Sequence, residues 1–156
     1  SAKEIVKELE EYKKSIQTAF FVPNPIGFLN SGRDKTDESM TTKFKRLGLG
    51  ALQKLGYKYR VDFNEEGNLN IKGMMRGISQ TKAYEMVQEI VNDDTMEMYD
   101  SNTAVLGTVA EGVVDMETLE NYLKKYFNCV VRRDIGATVA AYGSKDLIGL
   151  SLKRKK

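Results

Sequence analysis

A run of cations with aromatic residues among them is the part of this sequence best suited to chemistry. Residues 39–61 carry no acid and six cations, which are Lys43, Lys45, Arg46, Lys54, Lys58 and Arg60. Phe44, Tyr57 and Tyr59 lie among them. Cations hold phosphates and aromatic rings stack on bases, so this composition is typical of a surface that binds nucleic acid.

The spacing within residues 57–63 limits what such a surface can do. The run alternates and predicts a strand, which places Tyr57 and Tyr59 on the face opposite Lys58 and Arg60. Stacking on bases needs exposed tyrosines, and the sequence leaves open whether these two are core or exposed. If they are core, only contacts with phosphates are left. The residues that we predict to make them are Lys58, Arg60, Lys72, Arg76, Lys153 and Arg154.

A long acidic segment opposes these cations and favours a different partner. Residues 64–122 contain twelve acids against three cations, a net charge of −9. Such a segment can engage a basic protein surface, and seven methionines in the chain offer adaptable apolar contacts. We predict a protein partner ahead of nucleic acid, with Glu85, Glu89 and Asp93 on the acidic surface.

This chain has few of the residue types that enzymes use for catalysis. There is no histidine and one cysteine, Cys129, so the commonest general base and any cysteine-based metal cluster are missing. Cys129 lies in a predicted strand, where a lone cysteine is usually a small buried residue. We therefore predict no catalytic residue, no metal and no cofactor, and lean towards a non-enzymatic accessory or regulatory protein.

A glycine-flanked arginine supplies a second alternative to the protein partner. Arg76 lies between Gly73 and Gly77, just before a predicted helix whose first amides can hold an anion. The pattern is neither a P-loop nor a dinucleotide fingerprint. It keeps open a small enzyme or binding protein for a phosphorylated ligand.

Hydrophobic periodicity predicts four helices. The first covers residues 2–20, because an S-x-x-E cap precedes apolar residues at helical spacing, namely Ile5, Leu9, Tyr12, Ile16 and Phe20. A second runs from residue 36 or 37 to Gly56. Ser79 and Asp115 are the predicted N-caps of the third and fourth.

Alternating segments predict a mostly antiparallel sheet. Its strands are residues 57–63, 69–71, 95–99, 103–109, 129–133, 137–142 and 147–152. Asp100, Ser101 and Asn102 are predicted to turn a hairpin between the third and fourth of them. The predicted fold is α+β with the order αα-ββα-ββα-βββ.

Length and composition describe the expected organisation. The chain of 156 residues, 41% hydrophobic, has the size of one domain, with a long loop at about residues 22–36 and a basic tail over residues 153–156. No apolar run approaches the roughly 20 residues that a bilayer requires. The charged first residues do not resemble a signal peptide, so we expect a cytoplasmic protein.

Overall fold

A computed structural model describes residues 1–23, 48–63, 69–109, 112, 114–136 and 146–155. Within these residues four α-helices and a six-stranded mixed sheet form an α+β fold, as predicted. The helices are α1 (Ala2–Lys14), α2 (Leu49–Lys54), α3 (Ser79–Ile90) and α4 (Met116–Leu123). The strands are β1 (Ile16–Val22), β2 (Tyr57–Phe63), β3 (Leu69–Arg76), β4 (Tyr99–Thr108), β5 (Cys129–Asp134) and β6 (Ile148–Arg154).

The sheet has the strand order β3-β2-β1-β6-β4-β5. Neighbouring strands are antiparallel except for β4 and β5, which are parallel and are joined by the crossover that contains α4. One irregularity lies between β2 and β3: Arg60 pairs with Gly73 and Val61 with Ile71, which leaves Lys72 without a counterpart. This is a β-bulge on the edge strand.

The first helix is shorter than predicted. It ends at Lys14, and Ile16–Val22 is the strand β1, which pairs with β2 on one side and with β6 on the other. Ile16 and Phe20 continue the four-residue spacing of the helix, but β-branched and aromatic residues also suit a strand. Pairing with β2 and β6 decides in favour of the strand, because it gives the backbone groups of this central segment hydrogen-bond partners on both sides over residues 19–21.

The predicted hairpin around residues 100–102 is wrong. Asp100, Ser101 and Asn102 lie within β4, and a turn of 3-10 helix occupies Met96–Met98 where a strand was predicted. The backbone amide of Asn102 donates to Oδ1 of Asp100, which is the turn-like bond that this sequence favours. The register of β4 against β6 shifts between Tyr99 and Ala104, but the strand continues through these residues.

Most other elements follow the sequence. Asp115 caps α4 by accepting from the backbone amides of Glu117 and Thr118, whereas α3 already begins at Ser79 and its N-cap is Ile78. The hairpin of β2 and β3 and the strands β5 and β6 are confirmed. The predicted strand over residues 137–142, most of the loop at residues 22–36 and the start of the second helix lie outside the described residues.

Helices α3 and α4 cover one side of the sheet, here called the first face. The buried residues of α3 are Ala83, Met86, Val87 and Ile90, and those of α4 are Met116, Leu119, Tyr122 and Leu123. They pack against side chains of the central strands, which include Ala19, Phe21, Leu106, Leu150 and Leu152. This is the main core.

The opposite side, the second face, carries a smaller apolar group, the second-face cluster. Its buried members are Val22, Tyr59, Val61 and Leu147, and half-buried residues pack against them, namely Phe20, Leu52, Tyr57, Ile71, Val109 and Ile135. Among the described helices, α2 alone contributes to it, through Leu52. The second face therefore has much less helical cover in the described residues than the first.

Helix α1 lies outside both clusters. None of its thirteen residues is buried, and Ile5, Leu9 and Tyr12 are each more than half exposed. In the part of the chain that the structure describes, no helix is both long and apolar enough to span a bilayer.

Candidate functional site

The second-face cluster is built by strand alternation. Tyr57, Tyr59 and Val61 point to this face from β2, and register pairs Val22 of β1 with Tyr59 and Phe20 with Val61. Leu147 precedes β6 and completes the buried group. The question left open by the sequence is thus answered: Tyr59 is fully buried and Tyr57 is half-buried.

Tyr59 places a polar hydroxyl group inside this apolar cluster. Its hydroxyl is buried. Among the buried side-chain polar atoms of the described residues, this hydroxyl oxygen alone has no hydrogen-bond partner. Burial, and to a lesser extent the neighbouring Tyr57, raises the pKa of Tyr59, so the hydroxyl keeps its proton at neutral pH. A buried hydroxyl usually has a partner, because leaving it unpaired costs free energy. The group is therefore a donor placed to meet an acceptor that enters the cluster.

Two glycines beside the cluster leave an area of the second face without side chains. Gly107 of β4 and Gly149 of β6 are register partners, so neither strand projects a side chain at this point. A Cβ atom on Gly149 would lie 3.0 Å from Cε1 of Phe20, and one on Gly107 would lie 3.1 Å from Cγ1 of Ile135. The absence of these Cβ atoms lets Phe20 and Ile135 lie close against the sheet.

We expect Gly149→Ala to lower the free energy of unfolding by about 1 kcal/mol, because the added methyl group must displace the Phe20 ring. Gly73→Ala is the matched control, since a Cβ there meets nothing within 4 Å. That change should leave the free energy unaltered or raise it by up to about 1 kcal/mol. Urea denaturation measures both, and equal effects of the two changes would contradict the close packing of Phe20.

Further along the same face the side chains become polar. Thr18 and Ser151 are register partners whose hydroxyl oxygens lie 2.9 Å apart, so these two groups satisfy each other. Lys153 comes next on β6, 3.4 Å from a carboxylate oxygen of Asp100 and 5.6 Å from the centre of the Tyr12 ring. In the described residues the face thus combines an apolar surface with one buried hydroxyl that has no hydrogen-bond partner, which is suited to a molecule with a long apolar part and an acceptor group.

The predicted phosphate-contacting residues do not form one surface. Arg60 and Arg154 line a cleft on the first face, here called the arginine cleft, whereas Lys153 lies on the second face. Lys58 is half-buried in β2, and Lys72 and Arg76 are exposed on the edge strand β3. Alternation along β2 and β6 is the cause, because it sends neighbouring cations to opposite sides of the sheet.

The predicted acidic surface is also divided. Glu89 lines the arginine cleft, with a carboxylate oxygen 3.9 Å from Nη1 of Arg60. Glu85 forms an ion pair with Lys82 one turn earlier in α3, and Asp93 is exposed in the turn after that helix. Cys129, expected to be buried, is exposed at the start of β5.

Sequence reasoning missed the role of Tyr59 and of the two strand glycines. Isolated glycines within strand patterns indicate a close approach of another group, and Gly107 and Gly149 both have this context. For Tyr59 the alternation gave the correct face but not the missing partner, since a hydrogen-bond partner is a property of the folded neighbours.

No protein-family model matches the chain, and no curated protein is significantly similar to it. Solved structures are similar in fold. A DegV family protein from Eubacterium eligens loaded with heptadecanoic acid has a TM-score of 0.71 and 20% identity, over 98% of this chain and 50% of that one. The Streptococcus pneumoniae fatty acid kinase B3 protein loaded with linoleic acid has a TM-score of 0.71 and 13% identity, over 99% of this chain and 50% of that one.

A third solved structure, a fatty-acid-binding DegV family protein from Thermus thermophilus, has a TM-score of 0.69 and 20% identity, over 99% of this chain and 51% of that one. The chain thus spans about half the length of the solved proteins it matches. These matches correct the functional prediction. The expected protein or nucleic-acid partner is wrong, and the alternative of a phosphorylated ligand finds no support, because these three proteins are described as binding or loaded with a fatty acid. At 13–20% identity, what the similarity establishes for this chain is the DegV-like fold.

Proposed function

We propose that this chain binds a fatty acid, or a similar amphiphile with one carboxylate, against the second-face cluster. The observation that carries the proposal is the buried Tyr59 hydroxyl, which has no partner within the described residues. A carboxylate would accept its hydrogen bond, and the acyl chain would cover the half-buried apolar residues that pack around the cluster. The similarity of fold to proteins loaded with fatty acids supports the same ligand class.

The apolar contribution sets how the affinity depends on the length of the acyl chain. Burial of a methylene group contributes about 0.8 kcal/mol, so two methylenes contribute about 1.6 kcal/mol. Shortening the acyl chain by two carbons should therefore weaken binding by about tenfold.

We also propose that the protein is cytoplasmic and that residues 1–156 form a single domain.

Binding is tested by calorimetric titration of the whole chain with heptadecanoic acid, followed by saturated acids of decreasing length. We expect saturable binding that weakens with each pair of carbons removed. Ile71→Thr, which alters a half-buried residue of the second-face cluster, should weaken binding by about tenfold.

Val130→Thr is the matched control, because Val130 is a half-buried β-branched residue that packs against the first-face core. It should leave the affinity for heptadecanoic acid unchanged. The proposal is wrong if the folded protein binds no acid of any length, or if both variants lose affinity equally.

A further inference from the structure

The arginine cleft lies on the first face, away from the second-face cluster. It opens where β1, β2, β4 and β6 meet the end of α3 and the 3-10 turn, and its volume is about 650 Å³. Volumes of this size are usual for small-molecule sites. The charged residues that line it are Arg60, Arg154, Lys155, Glu89 and Glu97, and Ile90 and Met98 add apolar walls.

Arg60 is held in place by a neighbour on its own strand. Its Nε and Nη2 atoms donate to the two carboxylate oxygens of Asp62 at 3.0 and 2.8 Å. The Asp62 side chain is 6% exposed and that of Arg60 is 17% exposed, so the pair is largely out of water. Nη1 takes no part in this fork, and a carboxylate oxygen of Glu89 lies 3.9 Å from it.

Arg154 is anchored differently. Its Nε and Nη2 atoms donate to Oε1 of Gln17 at 3.2 and 3.1 Å, and the Tyr99 hydroxyl donates to the same oxygen at 2.9 Å. This is a neutral acceptor, and no carboxylate of the described residues forms an ion pair with Arg154 or Lys155. Burial raises the pKa of Tyr99, whereas Arg154 and Arg60 act to lower it, as expected if both guanidinium groups lie near the phenol.

The charge balance selects the kind of anion. Three cations and two acids line the cleft, and Asp62 behind Arg60 brings the sum of these charges to zero. A dianion would bring excess negative charge against Glu89 and Glu97, whereas a monoanion can lie beside Arg154 and Lys155, which form no ion pair with a carboxylate of the described residues. Nε and one hydrogen of Nη2 are already engaged in both guanidinium groups, so the N–H groups left for a planar carboxylate are those of Nη1 and the second one of Nη2. Ile90 and Met98 suit a short alkyl group.

We propose that the arginine cleft binds a small water-soluble monocarboxylate, with its carboxylate on Arg60 and Arg154, at a site separate from the amphiphile site of the second face. The proposal does not depend on the proposed function, because the two sites lie on opposite faces of the sheet.

The test is a titration of the full chain with sodium butyrate, followed by NMR of the arginine Nε–Hε groups, with sodium chloride at equal ionic strength as reference. We expect saturable shifts of the Arg60 and Arg154 signals. Arg154→Gln should weaken butyrate binding by about tenfold, since it removes a charge-assisted bond. Arg76→Gln, on exposed β3 outside the cleft, should leave the affinity unchanged.

The proposal is overturned if butyrate and chloride give the same unsaturated shifts, or if Arg154→Gln has no effect. Tighter binding of inorganic phosphate than of butyrate would overturn the assignment to a monoanion. Displacement of butyrate by heptadecanoic acid would show that the cleft is the fatty-acid headgroup site, which ends the claim of a separate site. Fatty-acid binding that leaves the butyrate signals unchanged supports two sites.

Discussion

Replacing Tyr59 with phenylalanine is expected to stabilise the ligand-free protein and to weaken its binding of a fatty acid. The change removes a buried hydroxyl that has no partner in the described residues, at a site otherwise lined by apolar groups. Since such a group costs about 1–3 kcal/mol, the free energy of unfolding should rise by about that amount. A hydrogen bond to a carboxylate contributes about 1.5–3 kcal/mol, so affinity for heptadecanoic acid should fall by about tenfold or more.

Urea denaturation without ligand and calorimetric titration with heptadecanoic acid measure the two effects on the same protein. Tyr57→Phe, two residues earlier on the same face and half-buried, is the control and should change the free energy of unfolding by less than about 0.5 kcal/mol. A loss of stability in Tyr59→Phe would mean that the hydroxyl has a partner in the free protein. The argument for a ligand at Tyr59 would then fail.

Asp62→Leu is expected to lower the free energy of unfolding by about 3–5 kcal/mol. It removes the carboxylate that holds Arg60 while leaving a largely buried guanidinium group without its partner. Most of this loss of stability comes from leaving the Arg60 charge buried without a partner, and less comes from the lost attraction between Arg60 and Asp62. Urea denaturation at neutral pH measures it.

The double variant Arg60→Met with Asp62→Leu separates these two causes. Because it removes both charges and fills the space with apolar groups, it should recover most of the stability that Asp62→Leu loses. Removal of the exposed pair formed by Glu10 and Lys13 is the comparison and should have little effect. If the double variant is as unstable as Asp62→Leu, then packing at position 62, and not the unpaired charge, limits stability.

The pattern of apolar residues in a short segment was sufficient to predict an element that has one buried side. The existence of α3 and α4, the Asp115 cap and the alternation of β2 are all properties of short segments, and the structure confirms them. It was insufficient at Ile16–Val22, where the same residues fit a helix or a strand. There the outcome depends on β6, which is more than 125 residues away in sequence.

The candidate site shows the same limit. Alternation correctly placed Lys58 and Arg60 opposite Tyr57 and Tyr59, but it could not show that Tyr59 is fully buried. That depends on the register of β1 against β2 and on Leu147. The arginine cleft likewise joins Gln17, Arg60, Tyr99 and Arg154 from four strands. These four residues are far apart in the sequence, so no local pattern could predict that they meet.

The bulge at Lys72 also determines how the sheet ends. β3 and β5 are the two edges, and an unpaired edge can add a strand from another molecule and start aggregation. On β3 the unpaired Lys72 interrupts the regular row of backbone groups with an exposed cation. On β5 the exposed residues Arg132, Arg133 and Asp134 place charges along the other edge. Lys72, first considered for contact with phosphate, is thus one of the charged residues that make both edges of the described sheet unfavourable for the addition of a further strand.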